Sequence, residues 1–270
     1  MLDFEDAQLS SAALHLIKTV LLSAGHLALA SRNELVETHI KADETPVTKL
    51  DHAIEALLVK RIRREYPRHR ILAEEGSVVD GSSEYTWAID PLDGTRAYVS
   101  GLPIWGISVG LLRNEEPLAG VFYLPALNEM YQCDMQSAFL NGRPLLPSGA
   151  NLDSRHAFLA VPSNSHLLYE ISFDRVRSFG STAAHLVYVA RGAAIGALTR
   201  QVRLWDLAGV LPMLLRFGID LCYLSGAPFH IHDLLDGQRA PEPILAARAD
   251  LIRPLLSMIR LKASMRQSID

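Results

Sequence analysis

The stretch Trp87-Ala-Ile-Asp90-Pro-Leu-Asp93-Gly-Thr95 decides the reading of this 270-residue chain. Its apolar opening, 87–89, predicts a short buried strand, with Pro91 restricting the turn that follows and Gly94 permitting close backbone approach. Two carboxylates three residues apart converge in such a turn. A helix opening near Thr95 would aim free backbone N–H groups at an anion. The same residues also read as an Asx-turn with no ligand, because an Asp side chain can bond its own backbone two residues on.

On either side, apolar spacing switches repeatedly between helical and strand periods. The first 30 residues carry Leu9, Ala13, Leu16, Ile17, Val20 and Leu21 on one helical face. A second helix is predicted over Asp51–Tyr66, ended by Pro67. Strands are expected at Arg70–Ala73, Tyr85–Ile89, Ile104–Leu112, Leu118–Leu124 and Glu129–Cys133, with a hairpin at Asn114–Pro117 and a turn at Asn141–Gly142. After about residue 150 come strands at Ala157–Val161, Val176–Phe179, Ala193–Thr199, Ile219–Leu224 and Ile244–Ala246. Among them lie a helix capped by Ser163, one after Gly180-Ser181-Thr182, one over Asp206–Arg216 despite Pro212, and one from about Asp250. Mixed strands and helices without a repeat indicate an α/β or layered α+β fold. The chain divides near residue 150 into an N-terminal α+β half, 1–150, and a C-terminal α/β half, 151–270, with no long Gly/Ser linker between them.

Composition narrows the function. At 49% hydrophobic and 21% charged residues the chain is a folded globular protein. A formal net charge of −4 gives no support for a nucleic-acid surface. Asp3, Glu5 and Asp6 stand where a secretory signal would carry positive charge, and the apolar stretch 97–112 is too short and too interrupted to span a bilayer. A cytoplasmic protein without membrane or nucleic-acid partners is the expectation. Cys133 and Cys222 read as buried small hydrophobes. None of the ten histidines forms a convincing metal site, His230 and His232 included. There is no phosphate-loop or dinucleotide fingerprint and no nucleophile elbow.

Other acids accompany the central pair. Glu74 and Glu75 close a strand before Gly76, and Asp51 and Asp206 each open a helix. Taken singly, Asp51 and Asp206 read as helix caps or first-turn acids, and Glu74-Glu75 as a solvated loop.

Taken together and in order, Pro46-Val-Thr-Lys-Leu-Asp51, Ala73-Glu-Glu-Gly76, the 87–95 stretch and Trp205-Asp206 resemble the inositol monophosphatase-like superfamily of magnesium-dependent phosphatases. Gly101-Leu-Pro103, Ala138-Phe-Leu-Asn-Gly142 and Gly180-Ser181 extend the resemblance over most of residues 5–260. It implies a layered α-β-α-β-α sandwich, a homodimer, and hydrolysis of the phosphate monoester of a small metabolite, inositol-phosphate-like or a related polyol or amino-alcohol phosphate. It further implies two or three Mg2+ ions, with Mn2+ as a substitute, held by Glu74, Asp90, Asp93, Asp206 and the carbonyl of Leu92. Asp51 and Thr95 would position and activate water, and the N–H groups after Gly94 and Thr95 would bind the phosphoryl group. Hard oxygen ligands suit Mg2+, and crowded carboxylates repel one another without a cation.

The alcohol side departs from the resemblance. Arg96-Ala97-Tyr98 replaces a common Thr-Asn-Phe, and Thr199 stands where a substrate-contacting glutamate is frequent. Arg96, Gly180, Ser181, Thr182, His185 and Thr199 are the candidate substrate-binding residues, Arg96 also reading as a surface ion pair and His185 as a packed helix position. Trp105-Gly106 and Pro212 resemble histidinol-phosphate phosphatases of the superfamily. A 3'-phosphonucleotide phosphatase and a catalytically reduced binding protein are the other readings.

Overall fold

The computed structural model describes residues 4–32, 38–40, 46–114, 116–134, 136–147, 149 and 151–262. Helix α1 (Phe4–Ser31) leads into a two-stranded ribbon, β1 (Thr38–Ile40) and β2 (Pro46–Thr48), and then into α2 (Lys49–Glu65). Strands β3 (Arg70–Ala73), β4 (Val78–Val79) and β5 (Tyr85–Asp93) follow, then a single helical turn, α3 (Thr95–Val99). The meander β6 (Gly106–Arg113), β7 (Glu116–Leu124), β8 (Glu129–Asp134), β9 (Ala138–Leu140) and β10 (Arg143–Pro144) completes an eight-stranded sheet in the order β10-β9-β8-β7-β6-β5-β3-β4. Only β3 and β5 pair in parallel in that sheet.

The rest of the chain supplies β11 (Phe158–Ala160), α4 (Ser165–Leu168), β12 (Tyr169–Ile171), β13 (Val176–Arg177), α5 (Thr182–Ala190), β14 (Ala194–Thr199), α6 (Leu204–Ala208), α7 (Leu211–Arg216), β15 (Ile219–Tyr223), β16 (Ile244–Arg248), α8 (Ala249–Met258) and β17 (Ile259–Leu261). A five-stranded sheet runs β13-β11-β14-β16-β15, and β12 pairs with β17 beside it.

Alternation along the strands generates the layers. In β5, Trp87 and Ile89 face α1 and α2, whereas Ala88 faces the other way. That second face joins Leu112, Phe122 and Tyr131 to Leu186 and Val187 of α5, Leu207 of α6, Leu211 and Leu214 of α7, and Ala197 and Ala246 of the smaller sheet. The far face of the smaller sheet buries Leu159, Ile195, Leu198 and Leu245 against Leu251 and Leu255 of α8. The order is α1/α2, large sheet, α5/α6/α7, small sheet, α8: the expected α-β-α-β-α sandwich. The large sheet comes wholly from residues before 150 and the small one from residues after it, with one core joining them.

Several local expectations shift. The helix after Ser163 begins two residues later, and the Ser163 hydroxyl pairs instead with that of Ser178 at 3.0 Å. The single helix expected over Asp206–Arg216 is two helices, with Pro212 in the first turn of α7, where a missing N–H costs nothing. The longest apolar helical run is Glu5–Ser31 rather than 97–112, and by length and composition alone it could cross a membrane. Its Ala13, Leu21, Ala24 and Ala28 are fully buried, and α1 packs on β7 and α2. That is the stripe of a core helix.

Candidate active site

The large sheet delivers the central acids through a bulge. In a regular strand, residues three apart face opposite sides. Between the pairings Asp90↔Ser108 and Asp93↔Gly106, however, β5 carries one residue more than β6, and the extra residue returns both carboxylates to one face. The turn expected around Pro91 is thus a strand irregularity inside β5. The Asx contact is also present, with Leu92 N donating to Asp90 Oδ1 at 2.9 Å. Gly94, at φ 89°, then turns the chain into α3. A Cβ at Gly94 would press on the Gly180 carbonyl at 2.9 Å, so the left-handed turn also lets residues 180–182 close in from the other half.

Glu74 lies just past β3, parallel to β5, and its N–H donates to Ile89 O at 3.1 Å. Asp206 arrives on α6, which packs on β5 and β6. Its Oδ2 accepts from Arg203 N at 2.7 Å, so the cap role and the site position coexist. The approach of α6 depends on small residues: a Cβ at Gly110 or Gly120 would overlap the backbone of Ala208 or Gly209. Ser108 adds a buried link, its hydroxyl donating to Trp205 O at 3.3 Å.

These elements enclose a cavity of about 170 Å3 lined by Glu74, Asp90, Leu92, Asp93, Gly94, Thr95, Arg96, Gly180, Thr182 and Asp206. Burial pushes the carboxyl of Asp90 well above its ordinary range, and the neighbouring charges of Glu74, Asp93 and Asp206 push it further. Asp206 is raised in the same way, by burial and then by Glu74. Asp93 is pushed up to about 6 by burial, against the opposing effect of three donors: the Ser181 hydroxyl, Thr182 N at 2.9 Å and Ala183 N at 2.9 Å.

Asp51 sits behind the cavity. Its Oδ2 closes a capping box, accepting from Thr48 N at 2.9 Å and the Thr48 hydroxyl at 2.5 Å. Its Oδ1 lies 3.3 Å from Thr95 Oγ1, which also reaches Leu92 O at 3.0 Å. The one Thr95 proton is shared between two acceptors, and Thr95 itself lines the cavity.

Sequence reasoning overlooked Glu55, one turn along α2 from Asp51. It is 3% exposed and accepts from Glu75 N at 2.7 Å and Ser77 N at 3.1 Å, holding the loop that carries Glu74. A carboxylate on the same buried face as Ile54 and Leu58 was the available signal.

Three expected substrate residues do not line the cavity. His185 is buried in α5, its Nε2 accepting from Phe179 N at 3.0 Å, and burial lowers its imidazole to about 4. Thr199 is buried in β14 and donates to Ile244 O at 3.2 Å. Ser181 is spent between Asp93 and Ala184 N as the N-cap of α5. Arg96, Gly180 and Thr182 remain on the cavity wall.

Among the described residues, no three His, Cys, Asp or Glu side chains are grouped tightly enough to hold a metal ion as they stand. Asp90, Asp93 and Asp206 spend oxygens on the donors named above. The donor set nevertheless fits a hard divalent cation. It offers four carboxylates and a carbonyl, and burial with mutual repulsion disfavours the ionised form of Asp90 and Asp206 that a cation would stabilise.

The sequence profile of the inositol monophosphatase family matches residues 7–241. The chain belongs to that family. A fructose-1,6-bisphosphatase/inositol-1-monophosphatase of Aquifex aeolicus is 29% identical over 243 residues, 84% of this chain and 91% of the relative. A histidinol-phosphatase of Chlorobaculum parvum is 32% identical over 183 residues, 64% of this chain and 70% of the relative. The solved structure of a Thermotoga maritima inositol monophosphatase superposes with a TM-score of 0.79 at 24% identity, covering 96% of this chain and all of that one, and so shares the fold. Membership implies phosphate-monoester hydrolysis, in a family that is generally Mg2+-dependent.

Proposed function

We propose that the chain hydrolyses the phosphate monoester of a small polyol or amino-alcohol metabolite, with Mg2+ as its metal and water as its nucleophile. The observation that carries this is one cavity holding four carboxylates, the Leu92 carbonyl and the first turn of α3, backed by the Thr95–Asp51 contact. Glu74, Asp90, Asp93, Asp206 and Leu92 would hold the metal. When bound, Mg2+ supplies positive charge against phosphoryl oxygens and makes nearby water more acidic.

The remaining tasks fall to the chain's own groups. Thr95 Oγ1 would accept a hydrogen bond from the attacking water and swing its own proton from the Leu92 carbonyl to Asp51, both within its reach. Burial raises Asp51 from its ordinary value, which suits a carboxylate that must take up a proton. Gly94 and the N–H groups of the first turn of α3 would face the phosphoryl oxygens and favour the charge that grows there. Gly180, Thr182 and Arg96 meet the alcohol portion. Arg96 on the wall favours a substrate with a second anionic group, which keeps 3'-phosphonucleotides in view, as the relative named histidinol-phosphatase keeps histidinol phosphate.

The test is a metal-controlled screen of inositol phosphates, histidinol phosphate, sugar phosphates and 3'-phosphonucleotides. Mg2+-dependent phosphate release from at least one class is expected. Folded protein that releases none across the panel would leave a binding role as the better reading. The same proposal assigns the chain to the cytoplasm as a homodimer, and a monomeric mass by light scattering would remove the second part.

A further inference from the structure

A second cavity, of about 490 Å3, opens beside the β12–β17 pair and shares no lining residue with the acidic one. Its volume falls in the small-molecule range, roughly 300–1,000 Å3. Two guanidinium groups, Arg200 and Arg239, stand on its wall against a single carboxylate, Glu242, one oxygen of which is engaged by Ser225 N at 3.1 Å. Pro241 and Pro243 supply an apolar surface. Tyr169 also lines it. This residue is only 3% exposed, and its buried hydroxyl has no hydrogen-bond partner among the described residues.

A buried hydroxyl without a partner opposes folding, a cost that a structural role alone leaves unexplained. A tyrosine hydroxyl and two guanidiniums are all donors suited to an anion. Arg200 is also close enough to draw the Tyr169 phenol downward against the effect of burial. We propose that this cavity is a second binding site, for a small organic anion that sets its acidic group against Arg200, Arg239 and the Tyr169 hydroxyl and its apolar body against Pro241 and Pro243. The site bears on the segment leading to Asp206. Ala240 N donates to Val202 O at 2.7 Å and Arg203 Nη1 to Gly237 O at 2.5 Å, tying the cavity's loop to the entry of α6.

Phenylphosphonate, an unhydrolysable anion with a flat apolar body, is the probe. It is titrated calorimetrically into the full chain with EDTA present, so that the readout is independent of turnover. Saturable binding is expected, weakened about tenfold or more by Arg200→Ala and by Tyr169→Phe and unchanged by Asp93→Asn. Tyr169→Phe without ligand should melt no lower than the parent, because it removes only an orphaned group. Absence of binding at millimolar probe would overturn the proposal. So would binding indifferent to both Arg200→Ala and Tyr169→Phe, or binding lost in Asp93→Asn, which would move the probe to the acidic cavity.

Discussion

On the wall formed by β5 and α3, Asp90, Leu92, Gly94 and Thr95 all open onto the acidic cavity. On the facing wall, Ser181, His185 and Thr199 turn into the protein and only Gly180 and Thr182 reach the space. The first wall is shaped by local rules: a bulge, a positive-φ glycine and a single helical turn, all within ten residues. The second is shaped by packing between the sheets, which ties His185 to Phe179 and Thr199 to Ile244. The proposed phosphate end of the site is therefore built by neighbours in the chain, and the proposed alcohol end by contacts between distant segments.

The contrast breaks most readily at Asp93. Asp93→Asn should reduce Mg2+-dependent phosphate release by at least about a hundredfold while the protein stays folded. Near-parent rates would take Asp93 out of the ligand set. Next comes Glu55→Gln. The amide keeps one acceptor but sets an NH2 against a backbone N–H, so the Glu74 loop loosens. Mg2+ affinity, followed through the metal dependence of turnover, should fall about tenfold. Unchanged affinity would make Glu55 purely structural.

A smaller effect concerns pH. The Asp93 carboxyl rises on folding from 3.8 to about 6 without metal. Between those values the folded chain binds more protons than the unfolded one, so the metal-free contribution of Asp93 is greatest below about pH 4 and is lost as pH rises through about 6. Mg2+ requires the deprotonated acids, so its stabilisation runs the other way. Melting with and without Mg2+ should differ by a few degrees at pH 8 and by less at pH 5. Equal shifts at both pH values would contradict the ligand assignment. The smallest effect belongs to the facing wall. Thr199→Val should cost about 1 kcal/mol in denaturant unfolding and leave KM unchanged. A raised KM would return Thr199 to the substrate.

Much of this was legible because the signals were short-range. The helical stripe of α1 and the Asn141–Gly142 turn are decided by neighbours in the chain. The Asp90–Asp93 spacing was readable as convergence, but the mechanism was not, since the bulge exists only relative to Ser108 and Gly106 on the next strand. Glu55 and Ser108 escaped notice because their partners lie about 20 and 97 residues away. The inward turn of His185 and Thr199 likewise depends on Phe179 and on the carbonyl of Ile244, which no periodicity reveals.

The glycine contacts under α6 have a mechanical meaning. Gly110, Gly120 and Gly209 leave no slack between that helix and the large sheet, so the seam between the two halves runs straight through the acidic cluster. Any hinge-like opening of the molecule along this seam would carry Asp206 away from Asp90 and Glu74 together. The halves are thus geared to the proposed metal ligands: a methyl group added at position 110 would act as a spacer between α6 and the sheet, felt at the carboxylates as well as in the fold.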